Sequence, residues 1–371
     1  MAKILIAGDF CPRGRVESSF EKEDYSSVLE EVCVITSKAD YSIVNFECPV
    51  VKGDPKPIEK NGPNLRCTPQ GVKAIKYAGF NCVTLANNHF FDYGEEGVKE
   101  TIDTLNKQGV DYVGGGKNLA EASKTLFKNI GGQQLAIINC CENEFSIAKE
   151  NMAGSNPLNL VKIYHAIKEA KSKAGAVLVI VHGGHEHFQL PSPRMVETYH
   201  FFIDVGADAV VNHHQHCYSG YEIYQGKPIF YGLGNFCFDN PAKHSGIWTE
   251  GYMVAIDFSE QNPSFEIYPI KQCADKPRVM LLPKDEFDKR LETLNTTIAD
   301  PIALQLEVNK YYDTCDNKIS NIFEPFQNRL YLAAKQRGWL PSLLSKRRKL
   351  IAENFILCES HRDKLAHWLL K

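Results

Sequence analysis

Roughly the first 260 residues alternate short apolar runs with longer amphipathic stretches. The apolar runs predict strands over Lys3–Ala7, Ser42–Asn45, Asn81–Leu85, Gln134–Asn139, Ala176–Val181 and Ala209–Val211. The amphipathic stretches predict helices over Gly71–Ala78, Glu95–Gln108, Leu160–Lys173 and Arg194–Val205. Continuous apolar strands that alternate with helices are typical of an α/β fold whose strands are buried on both faces.

The pattern changes toward the C-terminus. Tyr221–Tyr224 and Ile229–Tyr231 flank a Gly-Lys-Pro turn and predict a hairpin, and Gly251–Phe258 and Ser264–Pro269 extend the β pattern. Helical patterns follow, with breaks of the helices expected at Pro283, Pro301, Pro325 and Pro341. We therefore expect a first domain over residues 1–275 and a helical region over 276–371. The basic run from Lys346 to Lys349 is expected to be a solvated helix face, with an anchor for an acidic partner as the alternative.

Composition and charge exclude several classes of protein. Of the 371 residues, 43% are hydrophobic and 23% are charged, which suits a globular core and excludes disorder, collagen and coiled coils. With 42 basic and 45 acidic residues, the chain has no bulk attraction for nucleic acid. The 12 cysteines form no C-x-x-C pair and indicate reduced thiols. No apolar run is long enough for a transmembrane segment, so we expect a cytoplasmic protein.

Metal-type side chains follow the predicted strands. Seven of the 12 histidines lie within residues 182–216. Polar residues of ligand type stand directly after five predicted strands, at Asp9, Glu47, Asn88 with His89, His182, and His214 with His216. Each has a simpler explanation when taken alone: Asp9 as a turn residue, for example, or Asn88 as a helix cap. Because ligand sites in open α/β sheets form at the carboxyl ends of strands, the joint arrangement favours a metal site.

An ordered set of motifs resembles a known family. The motifs are Gly8-Asp9, Asn45-Phe46-Glu47, Leu85-Ala86-Asn87-Asn88-His89, Asp92-Tyr93-Gly94, His182-Gly183-Gly184, Pro191-Ser192, Gly206-Ala207-Asp208, His214-Gln215-His216 and the run from Gly226 to Phe236. Together they resemble the bacterial capsule synthesis CapA family, of the poly-γ-glutamate capsule type. That family looks like a branch of the calcineurin-like metallophosphoesterase superfamily. The resemblance covers roughly the first 260 residues and leaves out the C-terminal helical region.

The resemblance implies a fold and a ligand set. The fold would be a four-layer α/β/β/α metallophosphoesterase-like sandwich followed by a helical C-terminal module. One or two divalent ions (Mn, Fe or Zn) would be held by a set of six ligands: Asp9, Glu47, Asn88, His182, His214 and His216. His89 would protonate the leaving oxygen or stabilise the phosphoryl charge, and Arg15 would clamp an anionic substrate. Asn235 would orient a ligand, and His213 would lie behind the ligands.

Two positions depart from the superfamily pattern. The usual Asp-x-His is here Asp9-Phe10-Cys11, so one imidazole is missing, and Cys11 is either a substitute thiolate ligand or a buried inert thiol. Glu47 stands where the superfamily has a bridging Asp. His185 and His187 are additional, and we expect them in a solvated loop or facing the substrate.

The function implied is that of a capsule synthesis protein, for poly-γ-glutamate or a surface polysaccharide. We expect a metal-dependent hydrolase that cleaves a phosphoester of a polymer precursor through a metal-bound water. A weakly catalytic or non-catalytic metal-containing scaffold and a metal-dependent amide hydrolase are the alternatives. The expected partners are an anionic small molecule or polymer precursor and capsule-assembly proteins, without nucleic acid.

Overall fold

The computed structural model describes residues 3–240, 242–315, 330, 333–334, 337–339 and 345–369. In chain order its strands are β1 (Lys3–Cys11), β2 (Tyr41–Phe46), β3 (Cys82–Thr84), β4 (Asp111–Val113), β5 (Gly115–Gly116), β6 (Leu126–Ile130), β7 (Gln133–Cys141), β8 (Gly154–Ser155), β9 (Ala176–His182), β10 (Ala209–His213), β11 (Tyr221–Tyr224), β12 (Lys227–Phe230), β13 (Asn235–Phe238), β14 (Glu250–Asp257), β15 (Ser264–Gln272) and β16 (Val279–Leu281). Its helices are α1 (Arg15–Glu21), α2 (Ser26–Thr36), α3 (Pro69–Tyr77), α4 (Gly94–Gln108), α5 (Leu119–Ala122), α6 (Leu160–Lys173), α7 (Pro193–Asp204), α8 (Lys284–Ala299), α9 (Pro301–Asp313), α10 (Lys346–Leu357) and α11 (Glu359–Leu369).

Two mixed sheets carry the fold. The first has the strand order β16-β15-β14-β1-β2-β3-β4, in which β1 to β4 are parallel and β14 to β16 are antiparallel. The strand β13 also pairs with β1, along its C-terminal half. The second sheet has the order β11-β12-β10-β9-β7-β6 with a parallel centre. Parallel neighbours need crossover connections, which the intervening helices provide.

The apolar strands are buried on both faces because each sheet lies between two other layers. Along β1, Ile4 and Ile6 pack in the core between the two sheets. Leu5 and Ala7 point the other way and pack in the core beneath the helices of the first sheet. Helices α6, α7 and α9 cover the outer face of the second sheet. The predicted four-layer α/β/β/α sandwich is confirmed.

The sequence pattern predicts the elements better than their ends. Helix α6 has the predicted bounds, Leu160–Lys173, and the predicted hairpin is present as β11 and β12. The six predicted strands are all present, but β1 runs to Cys11 instead of Ala7 because its last residues pair with β13. Helices α1 and α2 and strands β4, β6, β13 and β16 were not predicted.

Two prolines mark the start of the C-terminal helices as expected. Pro283 directly precedes α8, and Pro301 is the first residue of α9, whose start is capped by the side chain of Asp300. Pro325 and Pro341 lie outside the described residues. Helix α8 buries Phe287 and Leu291 in the core between the sheets. It therefore shares a core with the first 275 residues, and the domain boundary stays a prediction.

The last helix, α11, is docked by buried polar contacts. The Glu142 carboxylate, which follows β7, accepts hydrogen bonds from the Ser360 amide at 3.2 Å and from Arg194 at 2.7 Å. Arg194 also pairs with Asp363 at 2.9 Å. The basic run from Lys346 to Lys349 begins α10 and is exposed. Among the described helices, none combines the length and the apolar character needed to cross a membrane.

We expect Phe287→Ala to lower the free energy of unfolding by about 3–5 kcal/mol, because it empties a fully buried site between the sheets. Urea unfolding followed by circular dichroism measures the change. Ile302→Ala, at a position that is 74% exposed on α9, should change stability by less than about 0.5 kcal/mol. Equal effects of the two substitutions would show that α8 does not belong to the core of the sandwich.

Candidate metal centre

The predicted ligands meet at one edge of the sandwich, where the carboxyl ends of parallel strands from both sheets converge. The first sheet supplies Asp9 near the end of β1, Glu47 directly after β2, and Asn88 with His89 after β3. The second sheet supplies His182, the last residue of β9, and His214 and His216 after β10. All seven side chains are buried. The structure thus brings together all six residues that the resemblance implies as ligands.

Glu47 lies at the centre of this group. One set of ligand-type atoms joins Asp9, Glu47 and His216, and a second joins Glu47, His182 and His214, each with its atoms within 4.8 Å of one another. The Oε1 atom of Glu47 lies 3.5 Å from His216 Nε2 and 3.8 Å from His182 Nε2. Neither carboxylate oxygen of Glu47 has a hydrogen-bond partner among the described residues, although Glu47 is fully buried. A buried carboxylate without donors is costly unless a cation compensates it.

The neutral ligands crowd together on the side of the second sheet. The Nε2 atom of His182 lies 3.1 Å from the Asn88 side-chain oxygen and 3.0 Å from His214 Nδ1. His214 and His216 both have positive φ angles, of 94° and 55°. Non-glycine residues rarely adopt this left-handed region, and such backbone is common at functional sites. The strained turn after β10 places both imidazoles in the cluster.

Amides and backbone groups hold the ligands in place. The Asn45 side chain donates to Asp9 Oδ1 at 2.7 Å and lies 3.2 Å from His182 Nδ1, so one amide orients ligands from both sheets. Asn235 Oδ1 lies 3.0 Å from His216 Nδ1, and the orienting role expected for Asn235 stays a prediction. His213 lies behind the cluster, with Nε2 3.0 Å from the Ala7 carbonyl oxygen.

The pKa values reflect the crowding of like groups. Burial and the neighbouring Asp9 carboxylate raise the pKa of Glu47 well above its usual range. Burial and the nearby His214 lower the pKa of His182 well below its usual range. For His216, burial lowers the pKa, but the charges of Glu47 and Asp9 outweigh it and raise the pKa to about 10. Together with the unpartnered oxygens of Glu47, this donor set fits a divalent cation, which favours deprotonated carboxylates and neutral imidazoles.

His89 occupies a different position from the ligands. Its Nδ1 atom lies 2.7 Å from Asp92 Oδ2 and 3.1 Å from Lys60 Nζ, and Lys60 also pairs with Asp92. These contacts leave Nε2 as the nitrogen that can reach a ligand. Burial, together with the Lys60 charge, lowers the pKa of His89. This lowered pKa favours the neutral form of the ring.

A cavity of about 410 Å³ opens over the cluster. Its lining joins residues of the sandwich, among them Lys60, Asn88, His89 and His214, to residues of α9 and the last two helices. The latter include Tyr311, Asn354, His361 and Lys364. The C-terminal helices thus form one wall of the cavity, a role that the sequence pattern did not indicate.

Two other sequence-predicted residues lie in structural contacts. The Arg15 guanidinium pairs with Asp239 at 2.8 Å and donates to the carbonyl oxygens of Cys273 and Ala274. Its polar atoms are thus taken up by protein groups, and the substrate clamp stays a prediction. Cys11 is fully buried in the core beneath the helices, and burial and the neighbouring Cys48 raise the pKa of its thiol well above the usual range. This environment is that of an inert thiol.

The expectation that His185 lies in a solvated loop or faces the substrate is wrong, because the residue is buried against Tyr312 of α9, with Nε2 2.9 Å from the phenol oxygen. His187 lines the cavity and contacts Lys243.

Sequence reasoning missed Lys60, which lines the cavity, because this residue lies in an irregular segment without a motif. The spacing of Asp92 three residues after His89 was visible in the sequence, and this pair could have been found from it.

Comparisons with known proteins agree with the motifs. The family model described as bacterial capsule synthesis protein PGA_cap matches residues 3–240. The chain is 34% identical over 244 residues to the capsule biosynthesis protein CapA of Bacillus anthracis, covering 64% of this chain and 59% of that protein. It is also 34% identical over 238 residues to the PGA biosynthesis protein CapA of Bacillus subtilis (strain 168), covering 63% and 62%. The chain thus matches about three fifths of the length of these curated relatives.

Solved structures show a weaker likeness. A putative 5'-nucleotidase from Staphylococcus aureus, solved in complex with alpha-ketoglutarate, has a TM-score of 0.46 and 15% identity, covering 80% of this chain and 58% of that chain. A hypothetical protein from Thermus thermophilus has a TM-score of 0.45 and 15% identity, covering 76% and 100%. The family model, by contrast, spans well over half of the chain and contains every residue of the ligand cluster. The chain belongs to the bacterial capsule synthesis protein PGA_cap family, which confirms its resemblance to the CapA proteins.

Proposed function

We propose that this protein is a metal-dependent hydrolase that cleaves a phosphoester of a compact anionic precursor in capsule or poly-γ-glutamate synthesis. The family and the names of the CapA relatives support the biological context. The observation that carries the chemistry is the buried Glu47 carboxylate, which has no hydrogen-bond partner in the described part of the chain and belongs to two sets of ligand-type atoms.

The proposed ligands divide around Glu47. Asp9 and His216 would hold a divalent ion on one side of this carboxylate, and His182 and His214, with Asn88 beside them, would hold one on the other. Manganese, iron and zinc all accept such oxygen and nitrogen ligands. A divalent cation bound there supplies Lewis-acid polarisation of a phosphoryl oxygen and makes water a stronger nucleophile at neutral pH.

His89 would act as the proton donor. The Asp92 carboxylate holds its Nδ1 and provides a counter-charge for the protonated ring. A phosphoryl group next to the ring favours the protonated form, which offsets the effects of burial and of Lys60 on the pKa of His89. The Nε2 proton can then pass to the leaving oxygen.

The cavity indicates the size and charge of the substrate. Its volume of about 410 Å³ suits a small molecule or the end of a chain. Lys60, beside His89, and Lys364 of α11 bring positive charge to the cavity lining, while Glu144 and Glu186 also line the cavity. This lining fits an anionic precursor that carries further polar groups.

A metal-containing scaffold without turnover is the competing function, and Cys11 is the observation behind it. The superfamily pattern has an imidazole here, whereas this chain has a thiol buried in the core. A scaffold would bind metal but would hydrolyse neither phosphoesters nor amides, so metal content and turnover must be measured on the same samples.

We expect Glu47→Gln to lower the bound metal and to reduce Mn²⁺-dependent hydrolysis of phenyl phosphate by at least about 100-fold, because it removes the shared charge with little change in shape. Elemental analysis and phosphate release measure the two effects. Glu260→Gln, the same substitution in an exposed loop, should change neither. Full metal content in Glu47→Gln would refute the proposed ligand set.

We expect His89→Ala to keep the bound metal but to slow hydrolysis of phenyl phosphate by about 10² to 10⁴-fold. The loss should be smaller with p-nitrophenyl phosphate, whose better leaving group needs less protonation. His165→Ala, on the exposed face of α6, is the matched control.

Equal losses on both esters would exclude His89 as the proton donor. Metal binding without phosphoester turnover in the unmodified protein would favour the scaffold. Cleavage of a γ-glutamyl anilide by a protein that does not cleave phosphoesters would favour the amide hydrolase.

A further inference from the structure

A second group of ligand-type side chains lies where the C-terminal helices meet the sandwich. We name this group, Glu144, Cys358 and His361, the junction cluster. Glu144 belongs to the loop after β7, Cys358 lies between α10 and α11, and His361 lies in the first turn of α11. One carboxylate oxygen, the thiol sulfur and one ring nitrogen lie within 4.8 Å of one another.

The chemistry of the junction cluster differs from that of the centre around Glu47. Sulfur, imidazole nitrogen and carboxylate oxygen are the ligand types of tetrahedral zinc, whereas none of the proposed ligands at Glu47 contains sulfur. Cys358 directly precedes α11 and His361 lies in its first turn, so both ligands come from the start of this helix. Glu144 completes the set from the sandwich.

The surroundings of the thiol favour a cation. Cys358 is 1% exposed, and its sulfur lies 3.6 Å from Glu144 Oε1 and 3.7 Å from Glu142 Oε2. Within the described part of the chain, Arg194 forms an ion pair with Glu142 but not with Glu144. A metal ion would balance the Glu144 charge and take the thiol as thiolate.

An unpartnered nitrogen points to a missing ligand. The Nδ1 atom of His361 is buried and has no hydrogen-bond partner among the described residues. Buried imidazole nitrogens are normally paired with a protein group, a water molecule or a metal ion. Glu144 and His361 also line the cavity, so a fourth coordination position can be reached from it.

We propose that Glu144, Cys358 and His361 bind a zinc-type ion that joins the C-terminal helices to the sandwich. This ion would be separate from the metal centre around Glu47. It would be linked to that centre through one contact, since the Asn88 amide donates to Glu144 Oε2 at 3.3 Å. By holding α11 in place, it would fix the wall of the cavity that carries Lys364. Cys358 and His361 both lie outside residues 3–240, the segment that the family model matches.

Cobalt provides a direct test because thiolate ligation gives Co²⁺ an intense near-ultraviolet charge-transfer band. The full-length, reduced and metal-stripped chain should develop this band when it is titrated with Co²⁺. Cys358→Ser should abolish the band and bind one Co²⁺ fewer by elemental analysis. Cys315→Ser, at a cysteine that lines the cavity but lies outside the junction cluster, should keep the band and the full Co²⁺ content.

Two further variants keep the test decisive. His361→Ala should retain the thiol but weaken the Co²⁺ that gives the band by at least about tenfold, which covers the case in which Cys358→Ser does not fold. Glu47→Gln should keep the band while it lowers the remaining metal content, so the two centres can fail independently. No band in the unmodified protein at saturating Co²⁺ would overturn the proposal, as would a band that survives Cys358→Ser or is lost in Cys315→Ser.

Discussion

The buried carboxylate of Glu47 lies where strand ends from two sheets meet, and no donor of the described residues hydrogen-bonds to either of its oxygens. A buried charge in this state is unfavourable by several kcal/mol unless an ion compensates it. The surrounding arrangement follows from that constraint. Imidazoles approach Glu47 from β9 and from the turn after β10. The Asn45 amide contacts both Asp9 of the first sheet and His182 of the second. The strained turn at His214 and His216 serves the same convergence, because it directs both imidazoles toward Glu47.

The C-terminal helices extend this architecture beyond the family segment. Helix α8 contributes Phe287 to the core between the sheets, so this part of the chain stabilises the sandwich itself. The last helix is held by a different kind of contact, a buried polar network around Glu142 and Arg194. Polar networks of this kind specify one orientation, because a shifted helix would leave buried groups unpaired. The position of that helix in turn shapes the cavity above the candidate metal centre.

The residues of the candidate site differ in how clearly the sequence pattern indicates their role. Asp9, Glu47 and His182 were predictable because each stands at the end of an apolar strand, and the topology of parallel strands brings such ends to one edge. No sequence pattern indicates Lys60, because this residue lies in an irregular loop and contacts His89 only through the tertiary fold. Arg15 shows the opposite case. Its position after β1 suggested a substrate clamp, but the fold pairs it with Asp239, a residue 224 positions away.

By itself, the sequence determined the α/β class, the bounds of strongly periodic elements such as α6, and the set of side chains at the strand ends, because these follow from local periodicity and from the edge rule for parallel sheets. Only the tertiary structure decided how those side chains divide around Glu47, since the two sheets approach each other through contacts between distant segments. It also decided the role of the last helices. Their weakly amphipathic sequence favours no particular packing partner. The position of the last helix depends instead on the buried contacts of Glu142 with Ser360 and Arg194. These contacts bring Cys358, His361 and Lys364 to the cavity and its border.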